Sequence, residues 1–225
     1  CDLFGWRAND EDIGDGMYYT KMTVDDKVVA AMFQRMPEQE ANGVMTNWLT
    51  YIAVDDVDAT LAIAEPLGAT VIAGPHKVMD AGRMAILQEP NGAVFAIWQA
   101  NQHAGIELRD CEGTLCWSEL ATLNREESKS FYHQILGWEF DDKDMMGLTD
   151  TELKAGCHQE GGMREMTEEG GDTPPHWMNY FAVDDCEAMA NKAQELGAMV
   201  CVPPTDIPDV GRFAVINDPQ GATFS

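Results

Sequence analysis

Few residues of this chain have the type and placement that chemistry needs. Glu119 lies in residues 114–121, a run that reads as a strand, and it shares a strand face with Trp117 two positions earlier. A carboxylate in that setting is a candidate general base if burial raises its pKa. The simpler reading is an ion pair with Arg83 or Arg212. His176 precedes a predicted strand by one residue and His158 follows one, so Glu119, His158 and His176 make a thin metal-donor set that needs a one-residue slip of the strand. His76, His103 and His133 fall in a loop, a linker and a helix and read as surface residues. Asp55-Asp56 and Asp184-Asp185 resemble paired carboxylates, but each pair stands where a strand gives way to a helix, the place of a capping acid. The cysteines at positions 1, 111, 116, 157, 186 and 201 form no CxxC pair, which argues against a zinc knuckle. Cys116, Cys186 and Cys201 fall in predicted strands or helices and read as small buried thiols of a reducing compartment.

The elements that must position these groups occur twice. Residues 48–56, Trp-Leu-Thr-Tyr-Ile-Ala-Val-Asp-Asp, return 129 positions later as Trp-Met-Asn-Tyr-Phe-Ala-Val-Asp-Asp. The match continues without a gap to Phe95 and Phe224, with about 21 of 48 positions identical, which marks a duplicated module rather than a solenoid. Each copy predicts a strand ending at the Asp pair and then a helix, 57–67 in the first, closed by Gly68. A short strand at 71–73 follows, then a strand at 83–87, the turn Glu89-Pro90-Asn91-Gly92 and a last strand at 93–98. Residues 16–22 and Lys27–Phe33 read as earlier strands, with a polar stretch at 37–43. Residues 113–132 precede the equivalent point of the second copy as a strand and a helix, with Asn124 as N-cap and Glu126 and Glu127 in the first turn. The first copy has no counterpart, which suggests a fragment short of a strand and most of a helix in front and a few residues behind. Residues 160–175 are rich in Gly and Glu without an apolar period and read as a mobile loop. The expected division is a first domain at 1–100, a linker at 101–112 and a second domain at 113–225. Arg83 and Arg212 each follow a Gly in the repeated Asp-x-Gly-Arg turn, and equivalent structural contacts are expected of both, to the strand-ending acids or to carbonyls.

Bulk properties narrow the classes. The formal charge of −25, from 39 acidic and 14 basic residues, repels nucleic acid and anionic lipid and suits either a solvated acidic surface or a cationic ligand. No apolar run reaches the length of a membrane span, and no signal peptide is evident, so a cytoplasmic protein is expected.

The ordered set Leu123-Asn124, Lys129-Ser130-Phe131-Tyr132, Leu136-Gly137-Trp138, Ala-Val-Asp-Asp, Leu-Gly-Ala and Asp218-Pro219-Gln220-Gly221 resembles the vicinal oxygen chelate superfamily of glyoxalase I, bleomycin-resistance proteins and extradiol dioxygenases. The resemblance covers essentially the whole chain. It implies an α+β fold: tandem glyoxalase-like domains of paired βαβββ modules that form open β-barrels around a small-molecule cavity. It also implies His and Glu ligands for one divalent ion. The matching positions hold Trp117, Leu49, Met178, Ala96 and Ser225, none of them such a ligand. No cofactor is therefore expected, a divalent metal through other ligands being the alternative. If those positions mark the inward face, Trp117, Glu119, Leu49, Tyr51, Met178 and Tyr180 line an apolar, aromatic cavity. For Tyr51 and Tyr180, present in both copies, packing is the plainer reading, and Trp48 and Trp177 on the other face read as core. The expected function is binding of a small aromatic or cationic organic molecule without metal, by a monomer with paired domains or a homodimer. The alternative is a lyase, isomerase or hydroxylase-like enzyme, and a third possibility is an interaction protein without a ligand.

Overall fold

Three helices of this chain start at side-chain caps. The computed structural model describes residues 1–41, 43–145, 148–156, 158–167 and 173–225. The Asp56 carboxylate accepts the Ala59 amide at 3.0 Å and starts α2 (Val57–Ala64), after α1 (Pro37–Ala41) in the polar stretch. Asp185 accepts the Ala188 amide at 2.9 Å and starts α4 (Cys186–Glu195). Asn124 accepts the Glu127 amide at 3.2 Å and starts α3 (Arg125–Leu136). The expected helix 57–67 finishes as a 3-10 turn, Glu65–Leu67, where Pro66 takes the early position that needs no amide donor. Gly68 and Gly137 then end their segments in the left-handed conformation that glycine adopts without steric cost.

The described strands form four sheets. β1 (Arg7–Gly14), β2 (Met17–Val24) and β3 (Lys27–Phe33) make an antiparallel meander. β4 (Tyr51–Ala53), β5 (Thr70–Val78), β6 (Gly82–Gln88) and β7 (Val94–Ala100) are ordered β4-β7-β6-β5, with β4 parallel to β7. β8 (Leu115–Thr122), β9 (Glu139–Met145), β10 (Leu148–Ala155), β11 (His158–Glu165) and β12 (His176–Phe181) are ordered β12-β8-β11-β10-β9, with β8 parallel to β11. β13 (Met199–Ile207), β14 (Gly211–Asn217) and β15 (Thr223–Phe224) complete the set. Each helix-bearing module is βαβββ, and the fold is α+β with open sheets.

Two expectations change here. The short strand at 71–73 runs on to Val78, because register shifts around Gly74-Pro75 let pairing with β6 resume at His76, which is therefore a strand residue. The first part of the expected loop 160–175 is strand β11, while residues 168–172 lie outside the described residues. Its glycines serve close packing: a Cβ on Gly161 would strike the Ser118 carbonyl, and one on Gly162 would lie 2.9 Å from the Trp117 ring.

The chain divides into two compact groups that interleave along the sequence. The first holds Cys1–Trp48, Ile106–Cys116 and Asn179–Ser225; the second holds Leu49–Gly105 and Trp117–Met178. One break falls within 101–112, but others fall at Trp48, within β8 and within β12, so these groups are drawn differently from a division in chain order. The core of the second group joins Val57 and Leu61 of α2, Leu87, Phe95 and Ile97 of β6 and β7, Leu120 of β8, Phe131 and Tyr132 of α3, Leu153 of β10 and Met163 of β11. Trp177 is buried there and donates its indole N–H to the Tyr132 hydroxyl at 3.1 Å. The core of the first group gathers Trp6, Met22, Val29, Phe181, Ile216 and Phe224, with Phe4 and Trp48 against them.

The duplication survives in hydrogen bonds. Ala96 N–H bonds to the Thr50 carbonyl and Ser225 N–H to the Asn179 carbonyl, each at 2.9 Å. Arg83 pairs with Asp58 at 2.8 Å and Arg212 with Glu187 at 3.2 Å, equivalent acids in the first turns of α2 and α4. The equivalent contacts expected of these arginines are thus present, but to helix acids rather than to the strand-ending pairs, and Arg212 also pairs with Asp206 of β13 at 2.9 Å. The geometry at a strand end explains this: Asp56 and Asp185 are already engaged as caps.

Candidate functional site

In the second group, alternate strand residues face the two helices and leave the other set on the helix-free faces of the sheets. Leu120 and Met163 point to the core, so Trp117, Glu119 and Ala121 of β8 share a helix-free face with Gly162 and Arg164 of β11. In register with these lie Asp150 and Glu152 of β10 and Lys143 of β9. On the other sheet Ile52, Leu87, Phe95 and Ile97 are core residues, so Tyr51, Met84, Ile86, Ala96 and Trp98 take the helix-free face.

Two indoles lie against glycines on these faces. The Trp117 ring occupies the space a Cβ on Gly162 would need, and the Trp98 ring does the same over Gly82. Trp98 is anchored by its indole N–H, which donates to the His103 carbonyl at 2.9 Å, and Tyr51 meets it edge-on with ring centroids 6.4 Å apart. The Tyr51 hydroxyl lies 3.7 Å from the Met84 sulfur, and the residue remains 45% exposed.

The other part of the face is a ladder of alternating charge. Glu119 accepts from Arg164 Nε at 2.7 Å; this is the ion pair expected of Glu119, but the partner is Arg164 rather than Arg83 or Arg212. Parallel pairing of β8 with β11 brings that arginine across, whereas Arg83 is paired with Asp58 and Arg212 with Asp206 and Glu187. Lys143 pairs with Glu152. Asp150 stands in register with both Lys143 and Arg164. Burial raises the Asp150 pKa, the Glu152 charge adds to the rise, and the Thr151 amide, Lys143 and Arg164 oppose it.

Of the six residues expected to line a cavity, Leu49, Tyr51, Trp117, Glu119 and Met178 fall in the second group and Tyr180 in the first. Tyr180 packs against Phe213, ring centroids 6.4 Å apart. On β2, in the same group, the Tyr19 hydroxyl is pushed up by burial and then by Glu11, and Lys21 is bonded to Glu11 at 2.6 Å. The other histidines are occupied or exposed. His176 Nδ1 lies 2.8 Å from the Pro174 carbonyl, His158 is exposed at the start of β11, and His133 Nδ1 lies 2.8 Å from the Trp138 carbonyl. Cys116 and Cys186 are half-buried, but Cys201, expected to be buried, is exposed on β13, an outer strand of a three-stranded sheet. Cys157 lies outside the described residues.

Arg164, Asp150, Glu152, Lys143 and Gly162 escaped the sequence reading. Their signal was weak, since a charged face on β9–β11 blurs the alternation that marks a strand and a Gly-Gly pair reads as a loop.

The model of the Glyoxalase/Bleomycin resistance protein/Dioxygenase superfamily matches residues 1–97 and 117–225. The chain belongs to this superfamily. It is 42% identical over 225 residues, 99% of this chain and 85% of the relative, to the “Putative glyoxylase CFP32” of Mycobacterium bovis. It is 36% identical over 234 residues, 99% of this chain and 84% of the relative, to the anthracycline biosynthesis protein DnrV of Streptomyces peucetius. Among solved structures, the Mn(II)-bound glyoxalase from Novosphingobium aromaticivorans shares the fold with a TM-score of 0.59 at 16% identity, covering 100% of this chain and 74% of that one. The 2,3-dioxygenase LapB from Pseudomonas sp. KL28 does so at 0.55 and 15%, covering 99% and 83%.

A divalent ion fits these residues poorly. The positions that the resemblance matches to superfamily ligands are, in the second group, Trp117, Leu49 and Ala96, which supply an indole, an isobutyl group and a methyl. Met178 supplies a thioether, and Ser225 in the first group a hydroxyl. Two carboxylates on this face, Glu119 and Glu152, are each paired with a cation. Among the described residues no three His, Cys, Asp or Glu side chains converge as a metal site. Likewise, no helix among them is long and apolar enough to cross a membrane.

Proposed function

We propose that the helix-free faces of the second group bind a small planar organic molecule, stacked on Trp117 and on the Tyr51–Trp98 pair, without the superfamily's divalent ion. The observation that carries this reading is the packing of the Trp117 ring against Gly162 and of the Trp98 ring against Gly82, beside apolar side chains at the positions that the resemblance matches to metal ligands. Such a surface favours a ring system and disfavours a hydrated cation. The name of the Streptomyces relative, for anthracycline biosynthesis, supports a fused aromatic ring as the ligand class. The formal charge of −25 suits a ligand that also carries an amine. The protein acts in the cytoplasm as a monomer with paired domains or as a homodimer, on a small molecule rather than on nucleic acid or a membrane.

A second reading is catalytic: a lyase, isomerase or hydroxylase-like activity with Glu119 as general base. It is favoured by the glyoxylase and biosynthesis names of the relatives. One set of experiments separates the two. Calorimetric titration with dihydroxynaphthalenes should show saturable binding, and Trp117→Ala should weaken it by about tenfold or more, the usual scale for an aromatic anchor. Elemental analysis should find no stoichiometric zinc, nickel, iron or manganese, and chelator should leave the melting temperature unchanged. About one metal per chain, lost together with activity in Glu119→Gln or His176→Ala, would overturn the metal-free reading.

A further inference from the structure

Strand register aligns two equivalent faces, one in each group. In the second group Asp142 of β9, Thr151 of β10 and Met163 of β11 lie side by side, and in the first group Asp10 of β1, Thr20 of β2 and Met32 of β3 do the same. The Thr151 hydroxyl donates to Asp142 at 2.6 Å as the Thr20 hydroxyl donates to Asp10 at 2.7 Å. Helix α3 covers the second-group set: Met163 is buried in one core with Phe131 and Tyr132, and Lys129 bonds to Asp142 at 2.7 Å. The first-group set is open. Met32 is 50% exposed, Tyr18 on the same face of β2 is 52% exposed, and Asp10 makes no ion pair among the described residues. We infer that this face of the first group docks an amphipathic polypeptide helix of the α3 pattern, with an aromatic pair turned to the core and a lysine three residues before its tyrosine.

Two features beneath this face match the same helix. In the second group Phe131 and Tyr132 of α3 pack on Phe95, ring centroids 6.4 and 5.4 Å away. Phe224, the repeat equivalent of Phe95, instead borders an apolar cavity of about 30 Å³ with Leu3, Phe4, Phe181 and Ile216. The Tyr132 hydroxyl accepts the Trp177 indole N–H, whereas the buried indole N–H of Trp48, whose ring meets Phe181 and Phe224, has no partner among the described residues. An unmet indole donor in a core is costly, and a phenol oxygen at the equivalent place satisfies it. The acid, the indole and the cavity thus correspond to the lysine, the hydroxyl and the rings of one helix. An apolar small molecule fills the cavity but leaves Asp10 and the indole unmatched. A second copy does not offer its own α3, whose aromatic pair is buried in its second group.

The test adds a synthetic peptide of residues 113–136 of this chain, which carries the α3 pattern, to the whole protein. Calorimetric titration should show saturable binding, and the peptide should protect Met32 from peroxide oxidation, read by mass spectrometry. Tyr132→Phe in the peptide should weaken binding by up to about tenfold, the scale of one hydrogen bond, and Lys129→Ala by about two- to fivefold, the scale of an exposed ion pair. Against Trp48→Phe protein the parent and Tyr132→Phe peptides should bind alike, and against Asp10→Asn protein the parent and Lys129→Ala peptides should do so. Met32→Glu, at a position already half-exposed, should prevent binding with the melting temperature nearly unchanged. Absence of saturable binding, or binding that ignores both Tyr132 and Lys129, overturns the inference. A dimer in sedimentation that Met32→Glu dissociates assigns the face to a second copy and overturns it as well.

Discussion

Glu89 and Asp218 occupy the same place in the two repeats, at the start of the hairpin before the last strand, and their environments differ sharply. Locally the hairpins agree. Glu89 accepts the Ala93 amide at 3.3 Å and Asp218 the Ala222 amide at 3.0 Å. The Gln88 amide bonds to the Gly92 carbonyl as the Asn217 amide bonds to the Gly221 carbonyl. Beyond the turn they part. Glu89 is 2% exposed and faces α3, where Ser128 donates to it at 3.4 Å and is itself bonded to Thr122 at 2.8 Å. Asp218 stays half-exposed and accepts the Gln220 amide. Burial pushes the Glu89 carboxyl up against several hydrogen bonds that pull it down, and the Tyr132 hydroxyl nearby is raised well above its usual range, first by burial and then by Glu89. The duplicated tryptophans diverge in the same way: Trp177 donates to Tyr132, whereas the buried indole N–H of Trp48 has no partner among the described residues. A repeated sequence thus reproduces its hairpin wherever it falls, but the element packed over the hairpin decides what its acid can do.

Paired substitutions at equivalent positions probe this difference. The largest effect is expected at the core phenylalanines. Phe95→Ala should cost about 3–5 kcal/mol, because its ring is fully buried against Phe131 and Tyr132. Phe224→Ala should cost less, since Phe224 borders an existing cavity with Leu3, Phe4 and Phe181 and is less completely enclosed than Phe95. Urea denaturation of the two variants measures both, and equal losses would end the distinction.

A smaller, pH-dependent effect is expected at Glu89. Its pKa is raised on folding, so its stabilising contribution is full below the unfolded carboxyl pKa and falls away as pH rises through the folded value. Glu89→Gln should therefore match the unmodified protein in acid and exceed it in stability at neutral pH. Asp218→Asn, at a solvent-facing turn, is the control. Melting curves across that pH range decide it, and a Glu89→Gln curve parallel to the parent would refute the linkage.

The smallest effect should be the same in both repeats. Asp56→Ala and Asp185→Ala each remove one helix cap with nearly the same geometry and should each cost about 1 kcal/mol. Unequal losses would show that the surroundings reach even these local contacts.

Much of the scaffold was legible without coordinates. The Asp-Asp pairs, Asn124 and the hairpin turns act within a few residues of themselves, so their side chains meet the same backbone groups wherever the module lies. The extent of β5 and β11 was less clear, since bulges and close-packed glycines imitate breaks.

Residue types and spacing were enough to determine the duplication, the superfamily and the caps. Tertiary structure alone decided that Glu119 meets Arg164, that Trp117 lies on Gly162, that Glu89 is buried while Asp218 is not, and that the compact groups interleave along the chain. The physical reason is range. A cap or a turn is closed by neighbours in sequence, whereas these contacts join strands and helices tens of residues apart, and periodicity within one element does not specify which other element will pair with it.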